Sequence, residues 1–252
     1  MNARLFEIIR HPIKAVGRET LVSAVLTPGE VLPWDRAYAI AHDRARADDL
    51  AGPWAKGANY LRGVTGPSLM AVRATFDETN RHITLRHPDQ ADLSVDLNTQ
   101  NDALIDWLTA LWPADISKPT HVVHHAGRAQ TDMPGPWISI NSRSSHAAVA
   151  EKLGADDLSI HRWRGNLWLD GLLPWEEFAW VGRQFRIGEA VLEGVQPITR
   201  CKATMANPET GMRDLDTLDA LDAGWGHRDF GIYARVVAGG SIAPGDGVEV
   251  LG

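Results

Sequence analysis

Only one cysteine, Cys201, occurs among the 252 residues. That scarcity excludes an internal disulfide, a tetracysteine zinc site and an iron–sulfur cluster held by this chain alone. It leaves three roles for Cys201: a nucleophile, a single soft thiolate ligand to a metal carried by an organic cofactor, or a small buried hydrophobe. The neighbouring Arg200 favours the first two, because a fixed positive charge stabilises ionised sulfur. An unpaired cysteine suits a reducing compartment, so a cytoplasmic location is expected.

Long apolar runs are missing as well. Nothing reaches the roughly 18 residues of a bilayer span, and the opening Met1-Asn2-Ala3-Arg4-Leu5-Phe6-Glu7 has no apolar signal core, so no membrane partner is expected. Basic residues are in deficit: 25 Lys and Arg against 32 Asp and Glu give a net charge of −7. A dedicated nucleic-acid binder needs the opposite balance, although a local basic pocket remains open. No G-x-G-x-x-G, Walker A, H-E-x-x-H or G-x-S-x-G pattern is present, which removes the simple dinucleotide, nucleotide, zinc-protease and α/β-hydrolase readings. Tyrosine (3) and phenylalanine (5) are sparse beside ten tryptophans, a preference the sequence does not explain.

What is there is mostly period-two alternation. Met70, Val72, Ala74 and Phe76 alternate with small or polar residues, Asp77-Glu78-Thr79-Asn80 makes a turn, and Ile83 and Leu85 resume, which predicts a hairpin. Further strand-like runs fall at 6–9, 21–26, 37–41, 137–140, 166–169, 191–195, 233–237 and 248–251, most bounded by Gly, Pro, Asp or Asn. Two helices are predicted. In 97–112 the residues Leu104, Ile105, Leu108, Leu111 and Trp112 recur at helical spacing before Pro113; 144–153 starts on serines suited to capping and stops at Gly154. Residues 45–57 read as an exposed loop, and 113–119 as the domain boundary. Many short strands with few helices imply a mainly β fold with some α, a barrel or sandwich.

Two clusters invite chemistry but carry little. His121, His124 and His125 sit around Val122-Val123 in an extended segment, where only His121 and His125 share a face, so solvated or packed histidines are expected. Glu176-Glu177 after Pro174-Trp175 is expected to face solvent in a turn rather than to form an acid–base pair.

Six short stretches read together are more specific. The first half carries Arg10-His11-Pro12-Ile13-Lys14-Ala15-Val16-Gly17 and Trp34-Asp35-Arg36-Ala37-Tyr38-Ala39-Ile40. The second half carries Trp163-Arg164-Gly165-Asn166-Leu167 and Thr199-Arg200-Cys201, then Phe230-Gly231-Ile232-Tyr233 and Gly240-Ser241-Ile242-Ala243-Pro244-Gly245-Asp246-Gly247-Val248. In order and spacing these resemble the MOSC superfamily, named for the C-terminal domain of molybdenum cofactor sulfurase. The resemblance is closest to the branch with an N-terminal MOSC region, which includes the mitochondrial amidoxime-reducing component and its bacterial relatives. It runs over nearly the whole chain.

The resemblance implies a MOSC-type β-barrel core with a smaller N-terminal α+β subdomain: residues 1–115 for the N-terminal region, whose first strands (1–36) join the barrel, and 116–252 for the barrel domain. It implies the molybdenum cofactor, Mo-molybdopterin, with Cys201 as protein ligand to the metal. Lys14, Arg36, Ser144, Ser145, Arg164, Asn166, Thr199, Arg200 and Tyr233 match cofactor-binding positions. Ala15 departs from a small hydroxyl residue, and Gly165 from a proline whose loss should loosen the turn. The implied activity is reduction of N-hydroxylated or N-oxygenated small molecules through a Mo(IV)/Mo(VI) cycle. With no cysteines left for a cluster, electrons are expected from a separate flavin, haem or iron–sulfur protein. The alternative is a sulfur carrier or sulfurtransferase accessory holding a persulfide on Cys201. Chemically the set is coherent, since a phosphate wants guanidinium forks, ammonium groups and helix N-terminal N–H donors.

Overall fold

The computed structural model describes residues 3–52, 54–125 and 128–252. Eight strands form one sheet in the order Val248–Val250, Gln184–Ile187, Ala190–Thr199, Asp229–Ala238, Ile138–Ser142, Leu167–Asp170, Arg4–Arg10 and Glu19–Leu21. Neighbours pair antiparallel except Ile138–Ser142 with Leu167–Asp170, and the helix Arg143–Leu153 lies in the crossover that a parallel pair requires. The sheet closes on itself. Leu5 N donates to Asp246 O (2.8 Å), Gly245 N to Leu5 O (2.7 Å) and Val248 N to Ala3 O (2.9 Å), which ties the first strand to the turn feeding the last. Closure removes the exposed edges an open sheet would present.

The barrel interior holds Leu5, Ile8, Ile138, Ile140, Leu167, Leu169, Phe185, Leu192, Ile232 and Ala234, all fully buried. Leu5 and Ile8 both point inward although they are three apart, because a register shift between Leu5 and Glu7 absorbs the extra residue. A second core lies between the meander Arg73–Asp77, His82–His87, Gln90–Asp96, the ribbon Tyr38–His42 with Pro119–His124, and the helix Asn101–Thr109, which contributes Leu104 and Leu108. A third core contains four of the ten tryptophans, Trp163, Trp168, Trp175 and Trp225, around Phe230. Trp163 stacks on Phe230 with ring centroids 3.9 Å apart, so the surplus of tryptophan fills wide space under the helices Arg143–Leu153 and Thr217–Trp225.

The hairpin over Asp77 forms as the alternation predicts, and Asp77 Oδ1 accepts from Thr79 N and Asn80 N in its turn. Met70 does not belong to it: Pro67 starts a 3-10 turn, Pro67–Ala71, which takes Met70 out of the strand. The run at 21–26 divides into Glu19–Leu21 and Ala24–Leu26 around an 88% exposed Val22, and Ala24–Leu26 pairs with Gly240–Ile242 away from the large sheet. Residues 45–57 are not all loop, since Ala47–Ala51 is helical and Ala55 is buried. The helix Thr217–Trp225 carries signals that a periodicity reading passes over: Asp216 Oδ1 accepts from Asp219 N (2.9 Å), and Gly226 ends it at φ +73°. Among the described residues no helix is long and apolar enough to cross a membrane.

Two buried arginines, Arg10 and Arg18, form ion pairs at the ends of the loop after the first strand. Arg10 Nε donates to Glu19 Oε1 (2.8 Å) and Arg10 Nη1 pairs with Glu78, while Glu19 Oε2 accepts from Phe76 N. Arg18 Nη2 donates to Pro208 O (3.0 Å) and to Glu209 Oε1 (2.9 Å). The loop 11–18 is thereby clamped between barrel and meander, with Lys14 at its centre.

Candidate functional site

The loop after the first strand is zipped to residues 34–38. Arg36 N donates to His11 O (2.7 Å), Tyr38 N to Pro12 O (3.1 Å) and Lys14 N to Tyr38 O (2.8 Å). Asp35, 2% exposed, anchors this junction: Oδ1 accepts from His11 N (2.8 Å) and Oδ2 from Arg36 Nη1. Burial pushes the Asp35 carboxyl up, but Arg36 and His11 outweigh it and hold it well below the usual range. Burial and the nearby Arg164 push His11 well down, so its ring is neutral. Ala15 (φ +62°) and Arg36 (φ +52°) adopt left-handed backbone, the conformation that turns Lys14 and Arg36 toward the same space.

That space is a cavity of about 610 Å³ between barrel and N-terminal unit. Its wall contains Lys14, Arg36, Arg164, Asn166, Thr199, Arg200, Cys201 and Tyr233, eight of the ten positions the sequence nominates. Its volume is in the range of a cofactor-sized site. Cys201 is exposed, at the start of the turn Lys202–Met205. The buried-hydrophobe role for this cysteine is thus overturned.

Six cations border the cavity, Lys14, Arg36, Arg62, Arg162, Arg164 and Arg200, and the four that the sequence nominates have different surroundings. Arg36 has Asp35, which outweighs the cost of burial and raises its pKa; Arg36 Nη2 also donates to Arg164 O (3.0 Å). Lys14, 4% exposed, donates from Nζ to Asp132 Oδ1 (2.6 Å), yet burial still lowers its pKa. Arg164 and Arg200 have no carboxylate partner among the described residues. Burial, reinforced by Arg36, pushes Arg164 down to about 9, and burial pushes Arg200 down to about 10. Half-buried guanidiniums lacking a counter-charge gain when an anion is supplied. Tyr233 is pushed up by burial, with Arg200 and Arg36 opposing.

Several nominated residues do different work from that expected. Arg200 spends its donors on protein: Nε to Phe230 O (2.8 Å), Nη1 to Trp163 O (2.8 Å) and Nη2 to Asn141 Oδ1 (3.1 Å). It therefore contributes charge rather than a free fork. Asn166 is a stitch between strands, because Oδ1 accepts from Ser139 Oγ (2.9 Å) and Nδ2 donates to Ile9 O (3.1 Å). Thr199 Oγ1 donates to Asp229 Oδ1 (2.5 Å). Gly165 does not loosen its turn: a Cβ there would lie 2.1 Å from Asn141 Nδ2, so glycine permits a close approach.

Ser144 and Ser145 lie outside the cavity, which corrects their assignment. Ser144 Oγ donates to Leu172 O (2.5 Å), and the wholly buried Ser145 donates from Oγ to Glu177. The helix that follows is capped by Ser142, whose side chain accepts from Ser145 N (3.3 Å). Ser142 thus caps one N–H of the first turn, and neither Ser144 nor Ser145 lines the cavity. Glu177 is itself a correction, being 0% exposed instead of solvated. The three histidines behave as packed or solvated groups; His124 stacks on Tyr38 at 4.5 Å and bonds Ala37 O through Nδ1. Among the described residues no three His, Cys, Asp or Glu side chains cluster as metal ligands.

The sequence reading missed Asp132, Arg62, Ser139 and Gln196 on the cavity wall. Asp132 falls in Thr131-Asp132-Met133-Pro134-Gly135, a run whose only local signal is a turn. Its role depends on Lys14, 118 positions away.

Barrel, clamp and wall together define a β-barrel protein with a basic cavity bearing a single thiol. The chain belongs to the MOSC-domain proteins: the MOSC N-terminal beta barrel domain matches residues 2–119 and the MOSC domain residues 127–249. Comparison with curated proteins gives no match. Among solved structures, the YuaD protein from Bacillus subtilis aligns over 99% of this chain and 96% of its own at 13% identity and a TM-score of 0.48. YiiM from Geobacillus stearothermophilus aligns at 20% identity with a TM-score of 0.35, and YiiM from Escherichia coli at 22% and 0.34. Each YiiM match covers 46% of this chain and 54% of the YiiM chain. These are distant likenesses.

Proposed function

We propose that this chain binds the molybdenum cofactor and reduces N-hydroxylated or N-oxygenated small molecules, with electrons from a separate protein. One observation carries the reading: the chain's single thiol, Cys201, shares a cavity with Lys14, Arg36, Arg164 and Arg200, and the half-buried guanidiniums of Arg164 and Arg200 have no carboxylate partner among the described residues. The donor set fits the group. A thiolate is the soft ligand that molybdenum takes, and the cations suit a terminal phosphate. A metal held by one protein ligand draws the others from the organic group that carries it.

When bound, the cofactor supplies the two-electron redox chemistry at its metal. The chain's own side chains bind and orient. Lys14, Arg36 and Arg164 offer positive charge from a wall fixed by Asp35 and by the clamped loop 11–18. Arg200 holds Trp163, Asn141 and Phe230 in place beside Cys201 and lends long-range charge. Tyr233, kept protonated by burial, presents a phenol proton on the same wall.

The deciding experiment is metal analysis of protein made in a cofactor-competent host. We expect one molybdenum per chain, lost in Cys201→Ser, and amidoxime reduction driven by an artificial one-electron donor. Persulfide on Cys201 with no metal would replace this reading with the sulfur-carrier role.

A further inference from the structure

Asp35 and Asp132 both meet cations of the cavity, and they are held very differently. Asp35 is buried, bonded to a backbone N–H as well as to Arg36, and belongs to the framework. The Asp132 side chain is 69% exposed, while the Lys14 side chain it meets is 5% exposed. Lys14 Nζ is its hydrogen-bond donor at 2.6 Å, and among the described residues it has no second one. Asp132 rides on an irregular segment between the strands Pro119–His124 and Ile138–Ser142, where Gly135 sits at φ +130°. It reaches inward past Gly57, and a Cβ on Gly57 would stand 2.4 Å from Asp132 Oδ1. The absence of a side chain at Gly57 is what admits the carboxylate to the cavity. Partial desolvation pushes the Asp132 pKa up, but Lys14, with Arg36 and Arg62, outweighs it and favours the ionised carboxylate.

We propose that Asp132 is a built-in competitor at the anion site: its carboxylate occupies Lys14 until a ligand phosphate takes its place, and it thereby sets the charge a ligand must carry to bind. The proposal rests on the anion-binding reading above. Exchanging Asp132 for a ligand carboxylate leaves the charge balance at Lys14 unchanged and gains nothing. A phosphate monoester brings nearly a second negative charge and three acceptor oxygens, which can also draw on Arg36 and Arg164. The displaced Asp132 side chain is already largely in water, so its release is cheap. The cavity accordingly selects dianions over monoanions by an element of its own sequence, a discrimination built on repulsion and competition as much as on attraction.

The test is calorimetric titration of the full chain, purified without cofactor, against methyl phosphate and against acetate. Both the protein and Asp132→Asn are titrated at pH 6.5 and 7.5. The lower pH guards against loss of the Lys14 charge once its counter-ion is gone. The expected result is methyl phosphate binding without acetate binding in the protein. The variant should bind methyl phosphate about tenfold tighter and acquire acetate binding. Asp132→Ser should behave in the same way. Unchanged or weaker methyl phosphate affinity in the variants at both pH values, with binding intact in the protein, overturns the competitor and makes Asp132 a supporting residue. No methyl phosphate binding in any of the three overturns the anion site itself and this proposal with it.

Discussion

Replacing Glu177 with glutamine turns one buried carboxyl into a measurable slope of stability against pH. Glu177 is 0% exposed in the turn Glu176–Trp180, and both its oxygens lie 2.9 Å from Ser145 Oγ. Ser145 Oγ also accepts from Trp175 N (2.8 Å), so the serine serves as donor and acceptor at once. Among the described residues no cation pairs with Glu177. Burial therefore pushes its pKa up from 4.5 to about 7, with Ser145 opposing. In the unfolded chain the ordinary value returns, so between those limits the folded state holds the extra proton. Its contribution is fully present below pH 4.5 and is lost as the pH rises through about 7. At 1.36 kcal/mol per pKa unit the loss amounts to about 3 kcal/mol. Glutamine is neutral throughout and keeps a carbonyl for Ser145. Urea unfolding of both proteins from pH 4.5 to 8 should show nearly equal stability at the acid end and an advantage of about 3 kcal/mol for Glu177→Gln at the other. A stability difference that stays flat across this range would refute the reasoning.

The remaining predictions concern the cavity. Arg164→Met should weaken methyl phosphate binding by about tenfold or more while leaving Tm unchanged or higher, because it removes a half-buried charge whose side chain, among the described residues, bonds only through two 3.4 Å donations to Gly17 O; a Tm loss beyond about 5 °C would contradict this. Asn166→Ala should cost about 2–4 kcal/mol in urea unfolding, since it strips partners from Ser139 and Ile9, yet leave the folded protein's affinity for methyl phosphate intact. A selective loss of affinity would instead return Asn166 to ligand contact. Cys201→Ser, at an exposed position, should leave Tm within about 2 °C while abolishing molybdenum retention.

Much of the architecture is legible locally. The hairpin over Asp77 follows from alternation plus a turn, and the helix Asn101–Thr109 from Leu104 and Leu108 at helical spacing. The strand Gln184–Ile187 escapes such a reading because Gln184 and Arg186 occupy its outer face and only Phe185 and Ile187 point in, too few residues to register a period. Ser144 and Ser145 show the opposite error. Serines at a helix start look like anion ligands, but which way that start faces is decided by the crossover between Ile138–Ser142 and Leu167–Asp170.

The sequence alone determined the chemistry on offer: one thiol, a few cations at marked positions and an alternation that calls for a mainly β fold, barrel or sandwich. Residue type and local periodicity are enough for that. The tertiary structure decided which cations stay available. Arg200 is tied to carbonyls, Asn166 is tied into the strands, Arg164 has no carboxylate partner among the described residues, and Lys14 is met by Asp132 from 118 positions away. Such pairings depend on distances across the closed barrel and its clamp, and linear order carries no information about them until the chain has folded.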